Sequence, residues 1–277
     1  MEQLYKMRAF PKNKQGGNKA GVYVFSDNLT DNEMQSVAYD LGYSETAFVS
    51  KSNKADYQVR FFTPKSEVDL CGHATIATFN LLRDIDIIKK GLYSQETKAG
   101  ILKINVLEDM VYMQQNKPFY GKYIDRKDLD ACFKHLNHHE TLKPQIISTG
   151  LREIFLPVKD KASLEKIIPN EQAIINLSKI HGTIGIHVFC LDEKLDAYGR
   201  NFAPILGILE ESATGTSNGA LACYLYQHHH KKTKYTLRQG YTMNQPSEIL
   251  VRLDINQDKI ISVWVGGKAF LIKEKTV

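Results

Sequence analysis

The chain has 277 residues, 43% hydrophobic and 24% charged, with 18 glycines and 8 prolines. This composition excludes a disordered chain, a collagen-like fibre and a pure coiled coil, and the length predicts about two domains. The net charge of +5 is mild and scattered, which argues against a nucleic-acid partner.

No stretch approaches the ~18 consecutive apolar residues of a membrane span. The opening MEQLYKMRAF lacks the basic-then-apolar order of a signal peptide. Cys71, Cys132, Cys190 and Cys223 are widely spaced and form no CxxC pair. Reduced thiols in a cytoplasmic setting, with no membrane association, are the expectation.

In chain order, Leu4 to Phe10 reads as a strand, followed by a glycine-rich passage through Gly16, Gly17 and Gly21 into Val22 to Phe25. Thr30 with Glu33 three residues on is a capping-box signal, and Gly42 is the expected stop of that helix. Strands are expected at Ser44 to Val49 and at Tyr57 to Thr63, with Lys65 to Leu70 as a bridge. Gly72 opens a helix of small residues, and Leu102 to Val106 with Met110 to Gln114 reads as a hairpin. Pro118 to Arg126 is expected to cross between domains, and Asp128 to Leu136 to be helical. Gln145 to Thr149, Ile154 to Val158 and Ile184 to Cys190 read as strands, and Ser163 to Leu177 as a helix broken near Pro169. Ser247 to Leu253 and Ile260 to Val265 are strands joined at Asn256 to Asp258, and Lys268 to Lys273 returns to strand.

The second half echoes the first. Tyr57 to Pro64 and Tyr198 to Pro204 each carry an arginine and end in proline. Each leads through a short acidic stretch to a small-residue helix start, at Gly72-His73-Ala74-Thr75 and at Gly215-Thr216-Ser217-Asn218. That order favours duplication. Helix starts leave N–H groups without intrahelical partners, so both ends suit a small anion, a carboxylate above all. Neither a P-loop nor a GxGxxG fingerprint is present.

The ordered set of motifs resembles the PhzF-like phenazine-biosynthesis family, within the diaminopimelate-epimerase-like fold. It comprises Arg8-Ala9-Phe10, Gly17 to Val22, Ser44 to Phe48, Phe62-Thr63-Pro64 with Glu67, and Leu70 to Thr75. It continues with Arg200, Phe202-Ala203-Pro204, Glu210 to Gly215, Gln239-Gly240 and Val265-Gly266-Gly267. The resemblance implies an α+β fold of two similar domains, each a curved, mostly antiparallel sheet or open barrel wrapped around a central helix. It places residues 1–118 in one domain, completed by a last strand near 268–277, and residues 119–267 in the other, with the active site in the cleft between them. It further implies a cofactor-independent enzyme, often homodimeric. The best-understood member isomerises trans-2,3-dihydro-3-hydroxyanthranilate through a proton shift.

Residue by residue, the family's general acid/base glutamate matches Glu45 and its site histidine matches His73. Its second acidic residue, usually aspartate, matches Glu211, and its small hydroxyl residue, usually serine, matches Thr216. Lys19 stands where the family usually has proline, Ser212 replaces another proline, and Asn244-Gln245 replaces the commoner Gly-Arg. The related epimerases use two opposed cysteines; Cys71 resembles the first, but Thr214 stands at the second, which argues against symmetric two-thiol racemisation.

A carboxylate placed like Glu45, between a helix-ending glycine and an apolar strand, is expected to be partly desolvated and to exchange protons near neutral pH. The plainer reading is a surface or capping glutamate. His73 is expected to donate to developing charge or carry a second proton, or else to be a hydrogen-bonded histidine at a helix start. Glu211 would orient a substrate group or act on Glu45 by like charge, or simply cap a helix. Gly72, Ala74, Gly215, Thr216 and Ser217 are the expected substrate-binding positions. No metal or cofactor is expected: His138-His139 and His228-His229-His230 read as surface clusters, with adjacent helical histidines fanning apart. The leading expectation is a cofactor-independent isomerase of a small carboxylic acid. The alternatives are epimerase-like or lyase-like proton transfer on an amino acid derivative, and a non-catalytic binding protein.

Overall fold

The computed structural model describes residues 3–13 and 16–272. The chain divides into two compact units, one running to Gln114 and resuming at Gly266, the other spanning Gln115–Val265.

The first unit contains β1 (Gln3–Ala9), β2 (Asn18–Val24), α1 (Asp31–Leu41), β3 (Glu45–Ser50), β4 (Tyr57–Phe62) and β5 (Glu67–Val68). It continues with α2 (Gly72–Asp84), β6 (Gly91–Thr97), β7 (Gly100–Val106) and β8 (Val111–Gln115). The second unit holds β9 (Phe119–Tyr123), α3 (Arg126–Asp130), β10 (Phe133–Lys134), β11 (Gln145–Ser148), β12 (Glu153–Pro157), α4 (Lys161–Lys166), β13 (Ile168–Pro169) and α5 (Glu171–His181). After these come β14 (Ile186–Leu191), β15 (Ala197–Ala203), β16 (Ile208–Glu211), α6 (Gly215–His228), β17 (Lys234–Gln239), β18 (Ser247–Asn256) and β19 (Lys259–Gly267). β20 (Ala269–Leu271) pairs with β1 in the first unit. The part of the expected last strand at residues 273–277 lies outside the described residues.

Each unit is a curved, mostly antiparallel sheet around one central helix, α2 or α6. The two topologies match strand for strand. In the first, β2 is parallel to β3, β3 antiparallel to β4, β4 parallel to β6 and β6 antiparallel to β7. In the second, β12, β14, β15, β17 and β18 repeat that sequence of pairings.

A repeated ion pair reinforces the correspondence. Arg60 of β4 binds Glu67 of β5 through Nε and Nη2, at 2.8 and 2.9 Å. Arg200 of β15 binds Glu210 of β16 through the same two nitrogens, at 2.9 and 2.8 Å. Each guanidinium also lies over the phenylalanine two residues on, Phe62 or Phe202. Two short strands, β5 and β16, are thereby tied back onto their sheets before the chain turns into the central helix.

Local chemistry explains the elements. Thr30 and Glu33 form a reciprocal capping box at α1, and Gly42 closes the helix in the left-handed region with its N–H on the Ala38 carbonyl. Gly17 is also left-handed, and a Cβ there would lie 2.5 Å from the Ala9 carbonyl oxygen. α2 is buried from His73 through Leu82, including polar Thr75, Thr78 and Asn80. Those three side chains donate to the carbonyls four residues back, each at 2.8 Å, so these donors are paired without solvent.

Several elements differ from the sequence expectations. The helix expected over Asp128 to Leu136 ends at Asp130; Phe133 and Lys134 pair with Pro169 and Ile168, and His135 adopts a left-handed φ of 61°. The break expected near Pro169 is present, and it separates two helices capped by Asp160 and Asn170. The Pro118 to Arg126 crossing contains β9, which pairs with β11. The Lys65 to Leu70 bridge contains β5. Met7, Met34 and Met113 are buried, whereas Met110 is half-buried. Among the described residues no helix is long and apolar enough to cross a membrane.

Thr30→Ala removes the N-cap acceptor of α1 and should lower unfolding free energy by about 1 kcal/mol. Urea denaturation tests this: the midpoint should fall with an unchanged slope, and an unmoved midpoint would deny the cap its role.

Candidate active site

The first unit brings Glu45 and His73 together. Gly42 stops α1, and the chain passes Ser44 before β3 begins at Glu45 beside Ala20 of β2. His73 is the second residue of α2, whose N-cap Cys71 makes no side-chain cap. Glu45 Oε2 lies 3.2 Å from His73 Nε2, with side-chain exposures of 15% and 4%. The geometry is a close charge contact rather than a hydrogen bond, since Oε2 is buried and accepts none.

The imidazole is held on both edges. Asn18 Nδ2 lies 3.2 Å from Nδ1, and Ser44 Oγ lies 3.2 Å from Nε2. Cys71 Sγ stands 3.4 Å from Nδ1. Burial pushes His73 below the usual imidazole range, against the attraction of Glu45 and a hydrogen bond to the Lys19 carbonyl. The ring is therefore a neutral donor and acceptor near neutral pH. The expected site residues of α2 differ in what they can offer. Ala74 is fully buried and has only its backbone for a ligand, while Gly72 is half-buried.

The second unit gathers Glu211, Thr214, Gly215, Thr216 and Ser217 around the start of α6. Glu211 ends β16, and its Oε2 accepts the Thr214 hydroxyl at 2.6 Å. Buried Gln239 fixes this turn: its Nε2 donates to the Glu211 carbonyl, and its Oε1 accepts from Thr214 N and from Asn218 Nδ2. Thr214, like Cys71, supplies no side-chain cap, so the first N–H groups of α6 are not closed off by their own N-cap. Thr216 is half-buried. Ser217 is 1% exposed, and its hydroxyl is engaged internally.

That engagement belongs to a buried polar network that sequence reading missed. Asn201 Nδ2 reaches Glu153 Oε1 at 2.6 Å, Ser217 Oγ at 3.1 Å and His187 Nδ1 at 3.2 Å. Burial raises the Glu153 carboxyl above its ordinary range, opposed by hydrogen bonds from Ser217 and Asn201. Burial alone drives His187 down to about 3. A charged residue directly before the apolar run Ile154-Phe155-Leu156 was the available signal.

The histidine clusters sit apart from these groups. His138 Nε2 pairs with Asp130 at 2.8 Å. His229 and His230 lie beyond the last residue of α6 and stack at 3.9 Å between centroids, rather than fanning from a helix as expected. All four cysteines are buried and none forms a disulfide. Glu45, Cys71 and His73 also form a group of three metal-competent side chains that the sequence analysis did not assemble.

Because the folded Glu153 holds its proton to higher pH than the unfolded carboxyl, its contribution to stability is full below about pH 4.5 and is lost as pH rises through its folded value. Glu153→Gln removes this dependence. Wild type minus variant stability should therefore fall above pH 4.5, at up to about 1.4 kcal/mol per pH unit within that window. A difference that is flat or rises with pH in urea titrations would contradict the buried-acid assignment.

Comparison with known proteins agrees with this architecture. The chain matches the PhzC-PhzF model of phenazine biosynthesis-like proteins over residues 7–275. It is 36% identical to an uncharacterized isomerase of Clostridium acetobutylicum, covering 97% of this chain and 95% of that one. It is 31% identical to the uncharacterized isomerase YfhB of Bacillus subtilis, covering 91% and 90%. The crystal structure of the Bacillus anthracis PhzF-family phenazine biosynthesis protein superposes with a TM-score of 0.88 at 31% identity, covering 98% and 96%. A hydroxyproline epimerase from Agrobacterium vitis shares the fold alone, with a TM-score of 0.64 at 12% identity over 98% of this chain and 91% of that one. The chain belongs to the PhzC-PhzF family of phenazine biosynthesis-like proteins.

Proposed function

We propose that the protein is an isomerase that moves a proton within a small carboxylic acid, with Glu45 as the general acid/base. The observation that carries this reading is the buried Glu45 Oε2, which makes no hydrogen bond and lies 3.2 Å from His73 Nε2. A carboxylate oxygen without a fixed donor is available to a carbon-bound proton, and its low hydration removes part of the barrier to accepting one.

The step requires no redox change and no cofactor. Glu45 takes a proton from a carbon activated by neighbouring unsaturation or a carboxylate, and the electron pair delocalises into the substrate. The resulting carboxylic acid returns the proton to a different carbon of the same molecule. Neutral His73 donates a hydrogen bond to the charge that develops. It does so without the strong ion pair that an imidazolium would form with Glu45. Within its own unit, the start of α6 has the chemistry to hold a carboxylate on the Gly215, Thr216 and Ser217 amides, with Glu211 to orient a hydroxyl or amine.

The names of the relatives support the isomerase class. Two-thiol racemisation lacks its second thiol, since Thr214 stands at the α6 N-cap with its hydroxyl committed to Glu211.

A panel of small hydroxy, amino and unsaturated carboxylates, including trans-2,3-dihydro-3-hydroxyanthranilate, tests the reading. Wild type should isomerise at least one member. Glu45→Gln should lower kcat by about 10²–10⁴-fold while leaving ligand-induced thermal stabilisation in place. Undiminished turnover in Glu45→Gln would remove Glu45 from the chemistry.

A further inference from the structure

Glu45, Cys71 and His73 converge more tightly than a general acid/base pair requires. One carboxylate oxygen, the thiol sulfur and one imidazole nitrogen all lie within 4.8 Å of one another. Glu45 Oε2 lies 3.2 Å from His73 Nε2, and Cys71 Sγ lies 3.9 Å from the same nitrogen and 3.4 Å from Nδ1. Around a tetrahedral zinc ion, bonds of about 2.0–2.3 Å set neighbouring ligand atoms about 3.4–3.6 Å apart. The two separations at Nε2 bracket that spacing; because Sγ lies nearer Nδ1, Cys71 must also rotate about its Cα–Cβ bond to face an ion on the Nε2 lone pair. Glu45 Oε2 is also a buried acceptor that the fold leaves without a hydrogen bond, and a cation would use it. Sulfur, imidazole and a single carboxylate together select a thiophilic metal over magnesium or calcium.

We propose that Glu45, Cys71 and His73 form a three-ligand site for a thiophilic divalent cation such as zinc, with the fourth position open, and that occupancy silences the enzyme. The silencing rests on the proton-transfer reading above; the ligand set does not. Binding takes Cys71 as the thiolate and releases its proton to solvent. His73 coordinates through Nε2 and carries its proton on Nδ1. Asn18, 3.2 Å from Nδ1, then accepts that proton's hydrogen bond through its side-chain oxygen, once the amide is turned over. A carboxylate bound to the ion can no longer take a proton from carbon. Cys71 thereby gains a role that proton transfer by Glu45 does not give it.

Cobalt(II) is the probe, added to the untagged full-length protein. Wild type should develop a thiolate-to-cobalt charge-transfer absorption with tetrahedral ligand-field bands. Zinc should displace it, and magnesium should not. Cys71→Ser should abolish the charge-transfer absorption, and it and Glu45→Gln should each weaken binding by more than about tenfold. The stacked His229 and His230 are the competing surface site, and a His229→Ala, His230→Ala double variant should leave spectrum and affinity unchanged. Absence of the charge-transfer absorption in wild type, its survival in Cys71→Ser, or its loss in the double variant would overturn the ligand set. Saturating zinc should stop isomerisation of any substrate found in the panel; full turnover of the zinc-loaded protein would overturn the silencing. Failure of the isomerase reading would leave the spectra and affinities as stated, because neither uses turnover.

Discussion

Helices α2 and α6 are each enclosed by the sheet of their own unit, buried from His73 to Leu82 in one and from Ser217 to Tyr226 in the other. A helix buried this way has no solvent to satisfy polar side chains, so its small residues and internal hydrogen bonds are obligatory. Thr75, Thr78 and Asn80 donate backward along α2, and Asn218 donates to the Thr214 carbonyl in α6. The helix starts are the exception. Cys71 and Thr214 make no side-chain cap, so the first N–H groups of both helices receive no hydrogen bond from their N-cap side chains. The bidentate arginine pairs of Arg60 and Arg200 anchor the short strands that deliver the chain to those starts.

The chemistry follows from where α2 begins. Its second residue is His73, and β3 begins beside it with Glu45. Burial keeps the imidazole neutral, which leaves Glu45 free of a permanent ion pair. The carboxylate is held in place by its strand and contacts His73 without being consumed by it. In the second unit, Gln239 and Thr214 hold Glu211, while the Glu153, Asn201, Ser217 and His187 network sets the floor beneath the start of α6. Each unit thus carries its own polar cluster at the start of its central helix, Glu45 and His73 at α2 and Glu211 and Thr214 at α6.

Much of this was legible in the sequence where the signal is local. The Thr30–Glu33 box, the Gly42 stop, the β7–β8 hairpin and both central helix starts depend on residues within a few positions of one another. The duplication was legible too, because its two copies repeat arginine, proline, acid and glycine in order. Less visible were the contacts that only folding creates. Asn18 and Glu45 meet at His73 from separate parts of the chain, and nothing in their spacing announces that they join it and nearby Cys71. Glu153 and His187 read as polar interruptions of apolar strands until Asn201 joins them. The Asp128 to Leu136 helix failed because His135 takes a left-handed conformation and Phe133 pairs with Pro169, a tertiary choice that local propensity does not encode. Ser217 matched a binding motif, but its hydroxyl is spent on Asn201 and Glu153, leaving its backbone amide for a ligand.

The most direct test of the account is proton transfer itself. Conversion of a panel substrate in heavy water, read by NMR of recovered substrate and product, should show deuterium at the carbons that lose and gain the proton. That labelling should vanish in Glu45→Gln at the same protein concentration. Equal deuterium uptake by the Glu45→Gln variant, or conversion with no exchange and no transfer of a substrate label between carbons, would contradict Glu45 as the group that carries the proton.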